Sequence, residues 1–324
     1  MRTEFSALIK NSSAYKQLER DICGNFNHAY LLVSSDKTAL DLLIEYVCLA
    51  IYCKHGGCLN CAECARVLKK SKPDIKEPNP LGGALKVEEI GEIVSDTYLT
   101  AFEKGKKLYI IRDMESISEK AQNKLLKTLE EPAANVHFIL TTASPQGILP
   151  TVVSRSKQIQ LGAFSEKEIA AGLLNMGCER EFAATLARCS GGSITTALRL
   201  YSDKSYFARV DTLLELLLDL NKSDDVVKHI MKPIFQGELI EETLDIIEII
   251  FHDILYIANK ISSVTFAGRE DKLRELGRKY NSKCLAPCLS EIGRAKQKIR
   301  ANCNKTNIAD SLLMSILEVK NRCR

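Results

Sequence analysis

Short runs of consecutive apolar residues alternate with stretches of helical period through the first half of the chain, and helical period alone governs the second half. Ala29-Tyr-Leu-Leu-Val33, Lys107-Leu-Tyr-Ile-Ile111 and Val136-His-Phe-Ile-Leu-Thr141 are runs of the kind found in a parallel sheet covered on both faces. Gln158-Ile-Gln-Leu161 alternates, as an edge strand does. Thr38 to Cys53, Val87 to Phe102 and Glu119 to Glu131 read as helices, the last with Ala121, Leu125, Leu126 and Leu129 on one face and Pro132 stopping it. Residues 5 to 23 predict one surface helix carrying Leu8, Ile9, Tyr15, Leu18 and Ile22, and Pro145 and Pro150 open short helical segments. Strands alternating with helices imply an α/β fold with a parallel sheet.

From Ser165 onward every long segment has helical period, with breaks at Ser190-Gly-Gly-Ser193 and near Lys204. Boundaries close to 163 and 205 follow, dividing the chain into an α/β domain (1–162), a small helical domain (163–204) and an all-helical domain (205–324). The most apolar stretch, Leu239 to Ile261, is interrupted by Glu241, Glu242, Asp245, Glu248 and Asp253, so it reads as a buried helix and not as a membrane span. The stretch from Cys53 to about Pro80 has no regular period and reads as an excursion from the sheet.

A length of 324 residues suits two or three domains, and 27% charged with 45% hydrophobic residues is ordinary globular composition. The formal net charge of +4 is too small to establish a nucleic-acid partner. Met1 to Lys10 carries neither a long apolar core nor a small-residue cleavage pattern, so a cytoplasmic location is expected. Twelve cysteines in such a chain argue for reduced thiols, some of them metal-bound.

Four of those thiols, Cys53, Cys58, Cys61 and Cys64, lie within a short Gly-containing loop where they can converge. Four thiolates make a closed tetrahedral Zn2+ site with no position left for activated water, so its role would be structural. Cys48 is the substitute if the first ligand is not Cys53. The remaining cysteines, Cys323 among them, are too scattered for a second site. After the first strand comes Ser34-Ser35-Asp36-Lys37-Thr38. A phosphate-binding loop needs glycines so that consecutive backbone N–H groups can wrap the phosphate, and only Lys37 and Thr38 of its pattern survive. Asp36 would stand beside the phosphate and repel it. Ser34 to Asp36 are expected instead to cap the following helix, and no functional ATP site is expected.

After the second strand a hydrolase would place acidic groups for Mg2+; here stand Arg112-Asp113-Met-Glu115, expected to form a solvated, ion-paired loop. Glu130 and Glu131 read as a helix-end surface pair. Arg155, in Ser154-Arg155-Ser156, could reach a neighbour's nucleotide and stabilise the transferring phosphoryl group, but taken alone it reads as an ordinary surface arginine favourably placed near a helix C-terminus. Arg66, Lys69, Lys70, Lys72 and Lys76 form one basic stretch and Arg294, Lys296, Lys298 and Arg300 another; either could neutralise phosphates, but solvated loop and helix faces are the expectation for both.

Taken together, His28-Ala-Tyr-Leu31, the four-cysteine module, Asn123-Lys-Leu-Leu-Lys-Thr-Leu-Glu-Glu-Pro132, Thr141-Thr142 and Ser154-Arg-Ser156 resemble the clamp-loader subunits of bacterial DNA polymerase III, closest to the delta-prime subunit family. The resemblance is specific over about residues 5 to 200. It implies an AAA+ fold: a RecA-like parallel-sheet domain with an inserted zinc module at about 53–75, a small helical lid and an all-α C-terminal collar. It further implies a subunit that does not hydrolyse ATP, sits in a five-subunit ring with gamma/tau ATPase subunits and delta, and offers Arg155 to the neighbouring ATPase. In this family the ring encircles primer-template DNA and loads the sliding clamp, which this subunit would serve indirectly. Ser156 replaces the cysteine of the family motif, Thr196 stands where ATPase members carry a lid arginine, and Thr141 aligns with a sensor position. The alternative within the same family is a gamma/tau-type ATPase with a divergent phosphate loop, suggested by Lys37 and Thr38.

Overall fold

The computed structural model describes residues 3–103, 105–230, 232–237, 239–261, 264–301 and 303–322, with the side chains of Arg300 and Thr306 also set aside; Cys323 lies outside the described residues. At the start of the chain the periodic stretch is not one helix. A 3-10 turn (Thr3–Phe5) leads into α1 (Ser6–Asn11), and α2 (Ser13–Cys23) follows after Ser12. Ser12 takes extended backbone, ends α1 by donating its N–H to the Ile9 carbonyl, and caps α2 by accepting from the Tyr15 N–H. A serine hydroxyl able to cap the next helix makes this break cheap, and apolar periodicity does not register it.

β1 (Ala29–Val33) is buried along its whole length, and α3 (Lys37–Tyr52) follows after three residues. The aperiodic excursion contains two elements that hydropathy alone did not separate: α4 (Ala62–Leu68), started by Cys61, and the two-residue strand β2 (Ile75–Lys76). α5 (Val87–Thr97) is shorter than expected, and the chain then runs into β3 (Lys107–Ile111). α6 (Glu119–Glu130) is capped by Ser118 and stopped before Pro132, β4 (Val136–Thr142) is wholly buried, and α7 (Pro150–Ser154) precedes the edge strand β5 (Lys157–Gln160), of which only Ile159 is buried.

The five strands form one parallel sheet in the order β2-β3-β4-β1-β5. β1 therefore lies inside the sheet, paired with β4 (Ala29 opposite Phe138, Val33 opposite Thr142) and with β5 (Tyr30 opposite Lys157). Because β1, β3 and β4 have both faces covered, their sequences read as continuous apolar runs. Even Lys107 is buried, its ammonium group 2.9 Å from the Asp96 carboxylate while the stem packs in the sheet. On one face Ala121, Leu125 and Leu129 of α6 pack with Tyr109, Phe138, Met114 and Leu140.

Helices α8 (Glu166–Asn175), α9 (Arg180–Cys189) and α10 (Ile194–Ser202) follow the sheet. Contacts divide the chain into two compact units, Met1–Ala183 with Ser190–Leu198, and Ala184–Cys189 with Arg199–Arg324. The second unit is helical: α11 (Tyr206–Asp219), α12 (Ser223–Ile230), α13 (Leu239–Ala258), α14 (Glu270–Lys279), α15 (Ser282–Arg300) and α16 (Lys305–Arg322). α13 packs on α11, α14 and α15, and α15 packs on α16. The acids that interrupt α13 are partnered where they are buried. Asp253 accepts backbone N–H groups from Thr265 (2.7 Å) and Phe266 (2.8 Å), and Glu242 takes Arg199 and Arg209. Burial holds the Asp253 carboxyl above its ordinary range. No described helix is long and apolar enough to cross a membrane.

The Gly191-Gly192 turn before α10 has a steric basis. Both residues have positive φ, but a Cβ on Gly192 would come within 2.3 Å of the Phe164 carbonyl oxygen, whereas one on Gly191 would meet open space. Gly192→Ala is expected to cost about 2–4 kcal/mol and Gly191→Ala about 1 kcal/mol. Urea midpoints of the two variants measure the difference; equal losses would show that the close approach to Phe164 is not what the turn requires.

Candidate functional site

The N-terminus of a helix presents unpaired backbone N–H groups and a partial positive charge, which is why phosphates bind there. In α3 this position is already filled. Asp36 is the N-cap, its Oδ1 accepting from Ala39 N at 3.0 Å, while Ser34 Oγ accepts from Asp36 N. The expectation that this loop caps a helix is met, with an addition that sequence did not suggest: the same carboxylate caps a second helix. Asp36 Oδ2 accepts from Ile194 N at 2.5 Å, and Oδ1 from Thr195 N at 3.2 Å and from the Thr195 hydroxyl at 2.6 Å, at the first turn of α10. Thr195 Oγ1 in turn accepts from Thr38 N at 2.9 Å and lies 2.8 Å from Thr38 Oγ1. Asp36 is buried in this arrangement. Ser193 Oγ takes the next N–H of α10, that of Thr196. Ile194 and Thr195, and not Thr196, are therefore the residues at the start of α10 that meet the loop.

The other groups that could serve a nucleotide are also engaged. Lys37 Nζ lies 3.0 Å from Asp113 Oδ2, an exposed pair worth about 0–1 kcal/mol. Asp113 takes left-handed backbone (φ 50°), accepts from Gly83 N, and donates its own N–H to Thr141 Oγ1 at 3.2 Å. Glu115 Oε1 accepts from Ala143 N. Arg112 departs from the expected solvated loop. Its side chain is only 11% exposed, and the guanidinium sits between Asp41 (2.6 Å) and Glu77 (3.2 Å), while Asn79 brackets its backbone. The reason is topological: the excursion brings Glu77 and Asn79 back beside the end of β3 through the pairing of β2, so the loop is covered. The space beside Lys37, Arg112, Asp113 and Thr141 is about 130 Å³, below the roughly 300–1,000 Å³ of ordinary ligand pockets.

Cys53, Cys58, Cys61 and Cys64 come together, with all four sulfurs within 4.8 Å of one another. Cys53 Sγ is 3.6 Å from Cys58 Sγ and 3.7 Å from Cys61 Sγ, close to the about 3.8 Å edge of a tetrahedron with metal–sulfur bonds of about 2.3 Å. The donor set fits one closed metal site. N–H groups of Cys58 and His55 point at Cys53 Sγ and lower its thiol to about 6, whereas burial pushes Cys64 up to about 12. Cys48 stands apart from the cluster and lines a cleft of about 430 Å³ with Asp41, Val67, Ile75 and Arg112. Burial pushes its thiol up to about 12. The module is pinned by Arg66 and Lys72, which both pair with Glu103 and Glu63. The two cations together hold the Glu103 carboxyl down to about 2, Arg66 contributing most.

Those pairs consume two members of the first basic stretch, and Lys70 pairs with Glu77. In the second, Arg294 pairs with Glu291 and Lys296 with Asp245 and Glu248, while the Arg300 side chain lies outside the described residues. Arg155 caps the C-terminus of α7. Its side chain is one-third exposed, donating to the Thr151 carbonyl and pairing with Glu130 at the end of α6. Glu130 is thus half of a surface ion pair, and Ser156 is buried with its hydroxyl on the Val152 carbonyl.

A parallel sheet in this order, with helices between its strands, gives the first unit an AAA+-like, RecA-like α/β fold, and the N-terminus of α3 is taken by the protein's own carboxylate. Residues 10–165 match the family model described as DNA polymerase III, delta subunit. The chain is 26% identical to DNA polymerase III subunit delta' of Bacillus subtilis, the match covering 94% of each chain. It is 29% identical to subunit delta' of Pseudomonas aeruginosa over 54% of this chain and 56% of that one. It is also 28% identical to subunit tau/gamma of Haemophilus influenzae, over 67% of this chain but 34% of that longer one. The chain is a relative of the DNA polymerase III clamp-loader subunits, delta-prime and gamma/tau, and the match to a delta-prime subunit spans nearly its whole length.

If the four cysteines hold a metal ion, freshly purified reduced protein carries about one ion per chain by elemental analysis. Cys61→Ser should lose that ion and melt several degrees lower. Metal-free wild type, or a Cys61→Ser variant with undiminished metal content, would sink the assignment.

Proposed function

We propose that this chain is a non-hydrolysing, delta-prime-type subunit of the DNA polymerase III clamp loader. In this reading it takes its place in the cytoplasm in a five-subunit ring with gamma/tau ATPase subunits and delta. The ring loads the sliding clamp onto primer-template DNA, and this subunit gives Arg155 to the adjacent ATPase. The division into an α/β domain (1–162), a lid (163–204) and a collar (205–324) belongs to the same proposal, as does Zn2+ as the structural ion of the cysteine module.

One observation carries the reading: the Asp36 carboxylate occupies the N-terminus of α3, where a hydrolysing relative needs phosphate. A phosphate brought there would meet that carboxylate at contact distance in a buried setting, and like charges so placed repel strongly. The partner role draws support from Arg155, whose ion pair among the described residues is with a half-exposed glutamate and is readily exchanged for a more concentrated charge. The gamma/tau-type alternative has Lys37, Thr38 and the tau/gamma likeness in its favour.

Two measurements separate these readings. The isolated chain is expected to show no binding of ATP and Mg2+ at micromolar concentrations, and such binding would favour the ATPase alternative. In a ring reconstituted with ATPase and delta subunits, Arg155→Ala should slow the site it serves by about 10³-fold and so lower DNA-stimulated ATP turnover, with assembly unchanged. Glu130→Ala should leave turnover intact. An unaltered rate with Arg155→Ala would eliminate the arginine-finger role.

A further inference from the structure

Helices α3 and α10 are distant in sequence, yet their first turns converge on one side chain. Asp36 receives the N–H of Ala39 from α3 and those of Ile194 and Thr195 from α10, and Thr195 closes the arrangement by bridging to Thr38. Two helix N-termini facing one another would leave several unpaired N–H groups and two partial positive charges in a buried space, unless an anion stands between them. We infer that the Asp36 carboxylate is an intramolecular substitute for nucleotide phosphate, and that it positions the start of α10 on α3 permanently, without ligand.

Three features of the site point the same way. The carboxylate is buried and uses both oxygens, so it is committed to these donors and not to solvent. Lys37, which in a phosphate loop would close on the ligand, turns outward to Asp113. The Gly191-Gly192 turn then delivers the Ile194 and Thr195 amides to the carboxylate. In a nucleotide-binding relative of this layout the ligand's charge would come and go. Here it is covalently part of the chain, so the segment Ser190–Leu198, the last part of the first unit, keeps one arrangement. This deepens the reading that the chain's own nucleotide site is lost, and it rests on that reading.

The test removes the built-in anion and offers a free one. In the full-length, metal-loaded chain, Asp36→Ala should speed amide hydrogen exchange at Ile194 and Thr195 by about tenfold and lower the melting midpoint by about 4 °C. Millimolar pyrophosphate should restore at least half of both losses in the variant and leave wild type unchanged. Asp36→Asn, which keeps the shape but not the charge, should fall between the two and carries the test if the alanine variant does not fold. The inference is overturned if exchange at Ile194 and Thr195 is unchanged, or if pyrophosphate does no more for the variants than potassium chloride of equal ionic strength. An equal response of wild type and variant to pyrophosphate would overturn it too. Binding of ATP by wild type would instead strike the preceding reading of the lost site, so the two failures are distinguishable.

Discussion

Backbone N–H groups at a helix start must be paired when they are buried, and the first unit meets that demand at two helices with one carboxylate. Asp36 ties the loop after β1 to the first turn of α10, and the consequences spread through contacts. Thr38 donates its N–H to the Thr195 hydroxyl. Lys37 is left with Asp113, and Asp113, tied to Gly83 and Thr141, is spent as an ion-pair partner. The loop after β1 thus serves as an internal joint between two helix starts.

The same sheet positions two further features. β5 pairs with β1 at one edge, so the short helix α7 before it brings Arg155 to the surface near the end of α6. β2 pairs with β3 at the other edge, and the chain between α3 and β2 carries the cysteine cluster. That excursion is anchored by charge: Glu63 and Glu103 bind Arg66 and Lys72, and Asp74 accepts the N–H groups of Phe102 and Glu103. Basic residues that looked available for phosphates in the linear sequence are partly consumed in holding the module to the sheet.

The buried strands β1, β3 and β4 were legible because both of their faces are covered, so the chain reads as uninterrupted apolar runs. The four cysteines were legible because their ligand atoms need only a local loop to converge. The helix break at Ser12 and the two-residue strand β2 were not. The first depends on a single cap, and the second on pairing with a strand more than thirty residues away, which no local period reveals. Arg112 was misread as solvated for a related reason, since Asp41, Glu77 and Asn79 surround it only once β2 is in place.

By itself the sequence determined the alternation of strands and helices, the cysteine cluster, and the absence of glycines from the loop after β1, because each is set by neighbours within a few positions. Tertiary structure alone decided what fills that loop. Asp36 signals a cap for the helix beside it, but its bonds to Ile194 and Thr195 join residues about 160 positions apart. Such a pairing depends on how the chain returns to β1, and hydrophobic period carries no record of it.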